Sequence, residues 1–469
     1  MIVDMFNALI IIIVTYTGFI AAYHYYGKPL GQRLFGLVMD KPTPAHVHQD
    51  GVDYVPSRKG IVFGHHFTSI AGTGPIVGPA IGVIWGWLPA LIWVVIGSIF
   101  MGAVHDLGAL VVSLRHDGRS ICDIADELVS KRVRLLVFFI VCLALWIVIA
   151  IFGLVIAIIF NLFPESVIPV WGEIPIAILF GVLIRRFPTR FKLVTITCIG
   201  LMVAVIFTGH LIPFTLGTVT GIPATGVWTV ILLIYACIAS ILPVQTLLQP
   251  RDFLNAWQLF IALGLLCCGA FVAGAIGELT IVAPAVVSQP EGAPSMMPFL
   301  FITIACGAIS GFHSLVASGT TSKQLNRETD AVSVGYGSML IEGALAVMVI
   351  VACCAGIGMG YPSEDGGTLT GLAAWNAHYF SWGASAGLAS KLQAVVIGCA
   401  NMMSTIGVPQ SLGVVIMGVF IASFAGTTLD TSTRLQRYMI SELANSIQVK
   451  VSTIGATLMA VVSLRHDGR

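Results

Sequence analysis

The chain has 469 residues, of which 57% are hydrophobic and only 10% are Asp, Glu, Lys or Arg, whereas about a quarter of a soluble domain is charged. That balance excludes a soluble globular protein and implies a polytopic membrane protein instead. A formal net charge of +1 offers nothing to a nucleic-acid partner, so the placement of the 23 basic residues matters more than their sum.

The first stretch, MIVDMFNALIIIIVTYTGFIAAYHYYG, has Asp4 where a signal peptide would be basic and is long enough to span. It reads as a retained first helix over 6–26. At about 20 apolar residues per crossing, further helices are predicted over 61–87, 88–114, 135–161, 165–184, 192–213, 227–247, 254–282, 298–318, 333–360 and 407–427, eleven in all. The stretch 389–406 is apolar but carries Lys391 and Asn401, and reads as a half-span. With the N-terminus outside, the loops 28–60, 115–134, 185–192, 248–253, 319–332 and 428–450 hold 20 of the 23 basic residues. The outer loops hold none, which fixes the orientation by the positive-inside rule. Ten cysteines lie mostly within apolar stretches, and the vicinal pairs Cys267-Cys268 and Cys353-Cys354 lack CxxC spacing, so they read as small core residues.

Two stretches break the apolar pattern. GHHFTSIAGTGPIVGP, Gly64 to Pro79, opens the second helix with two histidines, four glycines and two prolines. Five helices later, Pro243 and Gln245 interrupt IASILPVQTLLQPRDFLN. An odd offset inverts topology, so the two breaks predict an all-α, LeuT-like five-plus-five inverted repeat with a peripheral N-terminal helix. Backbone freed at membrane depth is tolerated only where it lines a cavity or is buried in protein. The alternative for the first stretch is a glycine-rich crossing that lets helices pack closely. The expected organisation is a peripheral helix over 1–27, a cytoplasmic loop over 28–60, a core over 61–427 (repeats 61–213 and 227–427), and a cytoplasmic segment over 428–469.

Five stretches, GHHFTSIAGTGPIVGPAIG, GAVHDLGALVVSLRHDGRSI, LPVQTLLQPRDFLN, PFLFITIACGAISGFHSLVASGTTSKQL and ASFAGTTLDTSTRLQRYMISELA, run in order along the chain. Together they resemble the carbon starvation protein (CstA) family of bacterial inner-membrane transporters, from about Lys28 to Ala444. The resemblance implies uptake of peptides, or of pyruvate in some relatives, during nutrient limitation, on a fold similar to that of the amino acid-polyamine-organocation transporters. Family members continue past TRLQRY with further helices, whereas this chain ends in Val461–Arg469, a letter-for-letter repeat of Val111–Arg119. That end reads as a truncated or recombined tail.

Ionisable residues within spans mark function by default. His65 and His66 lead into the first break, and histidine titrates near neutral pH, although an interfacial pair is the plain alternative. His105 and Asp106 lie about 14 Å along the helix from Arg115 at 1.5 Å per residue, which places them within the hydrocarbon. Glu342 is similarly deep, and His65, His66, His105, Asp106 and Glu342 are the candidate proton carriers, with a polar clamp between helices as the alternative. His313 stands among Ser318, Thr320 and Thr321, a possible Na⁺ site if coupling is not to protons. Substrate carboxylate is expected at the first break, where Gly72, Thr73 and Gly74 allow close approach and the amides of Ile76 and Val77 follow Pro75 at a helix start; Gln245 is expected to face it from the second break. A membrane metal enzyme using His65, His66, His105 and Asp106 is the rival class, against which HxxxH and HxxE spacing are absent. The reading is therefore a secondary transporter of a small carboxylate or peptide, proton-coupled or alternatively sodium-coupled. It has no cofactor, no metal, no catalytic residue and no nucleic-acid partner; its surroundings are the lipid bilayer.

Overall fold

The computed structural model describes residues 8–219, 221–363, 366–385, 387–446 and 451–462. Among them, ten helices are long and apolar enough to cross a membrane: Ala8–Leu34, Lys59–Trp85, Trp87–Arg115, Lys131–Leu162, Pro164–Arg186, Pro188–Leu211, Ala224–Ile241, Leu248–Ala275, Glu328–Met359 and Gln410–Ala444. An eleventh passage is made of three short pieces, Met296–Thr303, Ala305–Ala308 and Gly311–Gly319. The only sheet among the described residues pairs Tyr361–Pro362 with Thr368–Leu369. The protein is an all-α, multi-pass membrane protein, as the composition implies.

Several boundaries move, each for a physical reason. The first helix continues past Gly27 to Leu34, so part of the expected 28–60 loop is helical, and Pro44–Val47 is a short helix within the remainder. The helix expected from residue 254 starts at Leu248, because Pro250 falls in its first turn, where a missing N–H breaks no helical bond. The last crossing runs without interruption to Ser446 instead of ending at 427, since no Gly or Pro occurs from Thr427 to Ser446. Leu388–Ser404 is a helix of 17 residues. Residues Met1–Asn7 and the tail Ser463–Arg469, most of the exact repeat, lie outside the described residues.

The predicted break at 71–75 is present. Lys59–Ala71 ends at Gly72, whose φ of 44° and ψ of −139° suit glycine alone, and a new helix, Gly74–Gly82, resumes at once. The predicted partner at 242–245 is not a mid-span break. Residues 242–247 form the turn between two complete crossings, on the face that carries Arg58 and Arg185 beside Gln245. Backbone groups freed by this turn find partners within the protein: the Val244 amide donates to the Val52 carbonyl at 3.1 Å, and the Leu242 carbonyl accepts from Arg434.

The true partner of the first break is the 296–319 passage, seven crossings further on. An absent Cβ lets Gly74 sit against Cys306, Gly78 against the Thr303 carbonyl and Gly82 against Ile304 and Leu300. As one number rises the other falls, so the two interrupted passages run antiparallel.

Three crossings are enclosed by the rest: Lys59–Trp85, Glu328–Met359 and Gln410–Ala444. Small residues permit this, as where Gly343 meets Ser98 and Gly335 meets Leu107. The outer crossings present Leu136, Phe139, Ile147 and Ile196 outward, as lipid-facing surfaces require.

Close glycine contacts should dominate stability. At Gly398 a methyl group would collide with the Ala352 carbonyl, whereas at Gly200, on the exposed side of Phe191–Leu211, it would meet nothing within 4 Å. Gly398→Ala is expected to destabilise the protein by about 1–3 kcal/mol and Gly200→Ala to stabilise it by up to about 1 kcal/mol. Thermal unfolding of the two variants in detergent checks the opposite signs.

Candidate functional site

The residues flanking the two interruptions converge on buried polar clusters. Asp106 comes from Trp87–Arg115, Cys306 from Ala305–Ala308, His313 from Gly311–Gly319 and Glu342 from Glu328–Met359. His313 is held between two carboxylates, with Nδ1 2.9 Å from Asp106 Oδ2 and Nε2 3.3 Å from Glu342 Oε2. All three side chains have no exposed surface. Cys306 Sγ lies 3.5 Å from Glu342 Oε1 and 3.9 Å from His313 Nε2. His105 stands at the margin, 3.4 Å from Asp106 Oδ1 and 38% exposed; it is less deep than its neighbour because consecutive helical residues point about 100° apart.

The same 100° rotation separates His65 from His66. His65 Nδ1 is 2.5 Å from Asp252 Oδ2, and His66 Nδ1 is 2.9 Å from Thr321 Oγ1. Neither histidine faces water, since both are fully buried. Asp252 opens a second cluster. Its neighbour Arg251 pairs with Asp430 and donates to Tyr235 Oη at 2.5 Å, while Tyr235 in turn donates to Asp430 Oδ2 at 2.9 Å. Asn255 donates to Thr427 Oγ1 at 3.1 Å, and Glu173 Oε1 accepts from Ser423 at 2.7 Å and from Gln258 at 2.9 Å. In hydrocarbon an unpaired charge is expensive, so this mutual pairing is a condition of burial.

At the first break, Thr428 Oγ1 and Phe152 close over Gly72, Thr428 donates to the Ser69 carbonyl at 3.2 Å, and Ser69 Oγ is 3.0 Å from Thr431 Oγ1. Three sequence expectations fail here. The amides of Ile76 and Val77 are not free, because both donate to the Thr73 carbonyl, at 3.1 and 2.8 Å, as the first helical turn tightens. Gln245 does not face Gly72–Gly74; it lines a groove on the basic face with Arg58, Arg185 and Gln249. His313, Ser318, Thr320 and Thr321 do not converge as a cation site. Ser318 Oγ donates to Ser314 O and accepts from the Ile121 amide, Thr320 donates to Val316 O, and Thr321 meets His66.

The second cluster escapes a reading of the sequence. Arg251 and Asp252 read as loop residues because QPRDF contains proline, and Asp430 and Arg434 read as the start of a cytoplasmic segment because of their charge. The usable signal is the position of Pro250 in a first helical turn and the absence of helix breakers after Gly426. Glu173, between Trp171 and Pro175, gives only a lone acid in an apolar helix.

These features define a class of polytopic helical membrane protein, with two antiparallel crossings interrupted at depth and charged side chains buried in pairs around them. The chain belongs to the carbon starvation protein CstA family, whose sequence model it matches over residues 7–364 and 368–464. It is 35% identical over 363 residues to the peptide transporter CstA of Campylobacter jejuni, covering 74% of this chain and 50% of that protein. It is 32% identical over 495 residues to the pyruvate/proton symporter BtsT of Escherichia coli, covering 93% of this chain and 68% of BtsT. With the peptide transporter CstA of Helicobacter pylori J99 the identity is 34% over 478 residues, covering 95% and 69%. The chain thus spans about half the length of several of the curated relatives it matches, among them the CstA of C. jejuni.

The Arg251–Asp430 pair gives a stability test. Arg251→Met strands a buried carboxylate and is expected to cost about 3–5 kcal/mol, whereas Arg251→Met with Asp430→Leu should recover most of that loss. Unfolding midpoints of the two variants decide it; equal losses would mean that the pair is not what holds these residues in the core.

Proposed function

We propose that the chain is the core of a proton-coupled symporter that takes up pyruvate or short peptides during carbon starvation. The observation that carries this reading is the Asp106–His313–Glu342 array beside the two interrupted passages. An imidazole between two carboxylates can take a proton on one nitrogen and release it from the other, and intramembrane relays are built from these residue types. The name of one relative, a pyruvate/proton symporter, supports the choice of proton over sodium, and the separate engagement of Ser318, Thr320 and Thr321 favours it too.

Substrate carboxylate sits at the break formed by Gly72, Thr73 and Gly74, where missing side chains admit a ligand to the backbone. The first break is sealed in this conformation by Thr428, Phe152 and Cys306, so loading requires these contacts to part. His65 links that movement to the second buried cluster through Asp252, and His66 links it to Thr321, just past the second interrupted passage. No cofactor takes part, and no chemical conversion of substrate is needed. The protein resides in the bacterial inner membrane with its N-terminus outside, the orientation that puts the loops rich in Lys and Arg in the cytoplasm.

Proteoliposomes with an imposed pH gradient and labelled pyruvate or a labelled dipeptide test the proposal. Accumulation above equilibrium is expected, and Asp106→Asn and Glu342→Gln should each lower it about ten-fold or more while leaving some exchange. Downhill flux without accumulation would indicate a channel, and normal accumulation by both variants would remove the proton role from this array.

A further inference from the structure

We propose that Cys306, His313 and Glu342 form a binding site for a borderline-soft divalent cation, zinc above all. The site shares residues with the proposed proton array but goes beyond that reading and does not depend on it.

Geometry supports the site first. The three side chains each offer a ligand atom, and these atoms all lie within 4.8 Å of one another. Zinc bonds of about 2.3 Å to sulfur and about 2.0 Å to nitrogen or oxygen, at tetrahedral angles, separate ligand atoms by about 3.3–3.5 Å. The closest separations here are 3.3 Å for His313 Nε2 to Glu342 Oε2, 3.5 Å for Cys306 Sγ to Glu342 Oε1, and 3.9 Å for Cys306 Sγ to His313 Nε2. The two Glu342 distances end on different oxygens, so a set with one ligand atom from each residue, within 4.8 Å, contracts by side-chain rotation to reach tetrahedral spacing.

The surroundings match as well. Asp106 accepts from His313 Nδ1 at 2.9 Å, which leaves Nε2 with its lone pair directed at Cys306 and Glu342. A metal-bound histidine is usually held by a carboxylate in this way. Glu342 Oε2 is completely buried and forms no hydrogen bond, its one polar neighbour being His313 Nε2 at 3.3 Å, and a cation between the two would stabilise that oxygen. The mixed sulfur, nitrogen and oxygen set selects zinc or a neighbouring transition metal over magnesium or calcium, which prefer oxygen alone.

Binding balances simply. Cys306 gives its thiol proton to water as sulfur bonds the metal, and a divalent ion then offsets the thiolate and the Glu342 carboxylate, with His313 neutral. Three protein ligands leave a fourth position for water, as in open sites. Gly74 covers Cys306 directly, so metal enters when the two interrupted passages separate.

The experiment uses the purified full chain in detergent, with no gradient and no transport, so its outcome is independent of the proton reading. Titration with Co²⁺ should produce a thiolate-to-cobalt charge-transfer band together with the visible absorption of a four-coordinate site, and Zn²⁺ should displace it with one equivalent. Cys306→Ser should lose the charge-transfer band and weaken Zn²⁺ binding at least about ten-fold, and Glu342→Gln should weaken it comparably. Bound cobalt without a thiolate band in the unaltered protein would overturn the proposal whatever the variants do. An unchanged band in Cys306→Ser would overturn it equally, by placing the metal on another cysteine.

Discussion

Gly74 has no side chain, and on that absence rests the contact between the two interrupted passages. A single methyl group there would push Cys306 away. Because the gap is closed, Cys306 lies beneath the first break, and the chain that follows it delivers His313 between Asp106 and Glu342. Interrupted helices carry amides and carbonyls that hydrocarbon cannot solvate. Here they are satisfied by protein: Thr73 accepts from the next turn, Thr428 bonds the Ser69 carbonyl, and Ser98 donates to the Gly307 carbonyl at 3.0 Å.

Charge follows the same rule as backbone. In the interior, Arg251 is matched with Asp430, His65 with Asp252, and His313 with both Asp106 and Glu342. These pairs link segments far apart in sequence: the first interrupted passage reaches the long Gln410–Ser446 helix through the adjacent Asp252 and Arg251, and the second is tied to Trp87–Arg115 and Glu328–Met359. Toward the basic face, Asp53 receives Arg434 at 2.8 Å and the Tyr438 hydroxyl at 2.5 Å. That loop residue thereby holds the far end of the same helix.

Most of the fold was legible because a crossing announces itself by length and apolarity. The first break was legible too, since Gly72, Gly74 and Pro75 have few other uses within a span. Its partner was misplaced for the opposite reason. Pro243 gave a strong local signal that belongs to an ordinary turn, while CGAIS around Ile309 breaks a helix with no proline at all and relies on tertiary contacts to stay extended. Of the site, Asp106 and Glu342 stood out by depth, whereas His313 stood out only for the hydroxyls near it in sequence. Arg251, Asp252 and Asp430 did not, because sequence reads charge as exposure, and only the folded partners reveal that these charges are neutralised pairwise.

The adjacent histidines have a mechanical meaning that neither has alone. His65 and His66 are successive residues of one rigid turn, yet they grip different segments of the protein, through Asp252 and Thr321. The turn is therefore a crossbeam pinned at both ends. Twisting it about its own axis cannot slacken one pin without displacing the other, so the contacts at Asp252 and Thr321 sense the same angle, and neither can rearrange as though the other were absent.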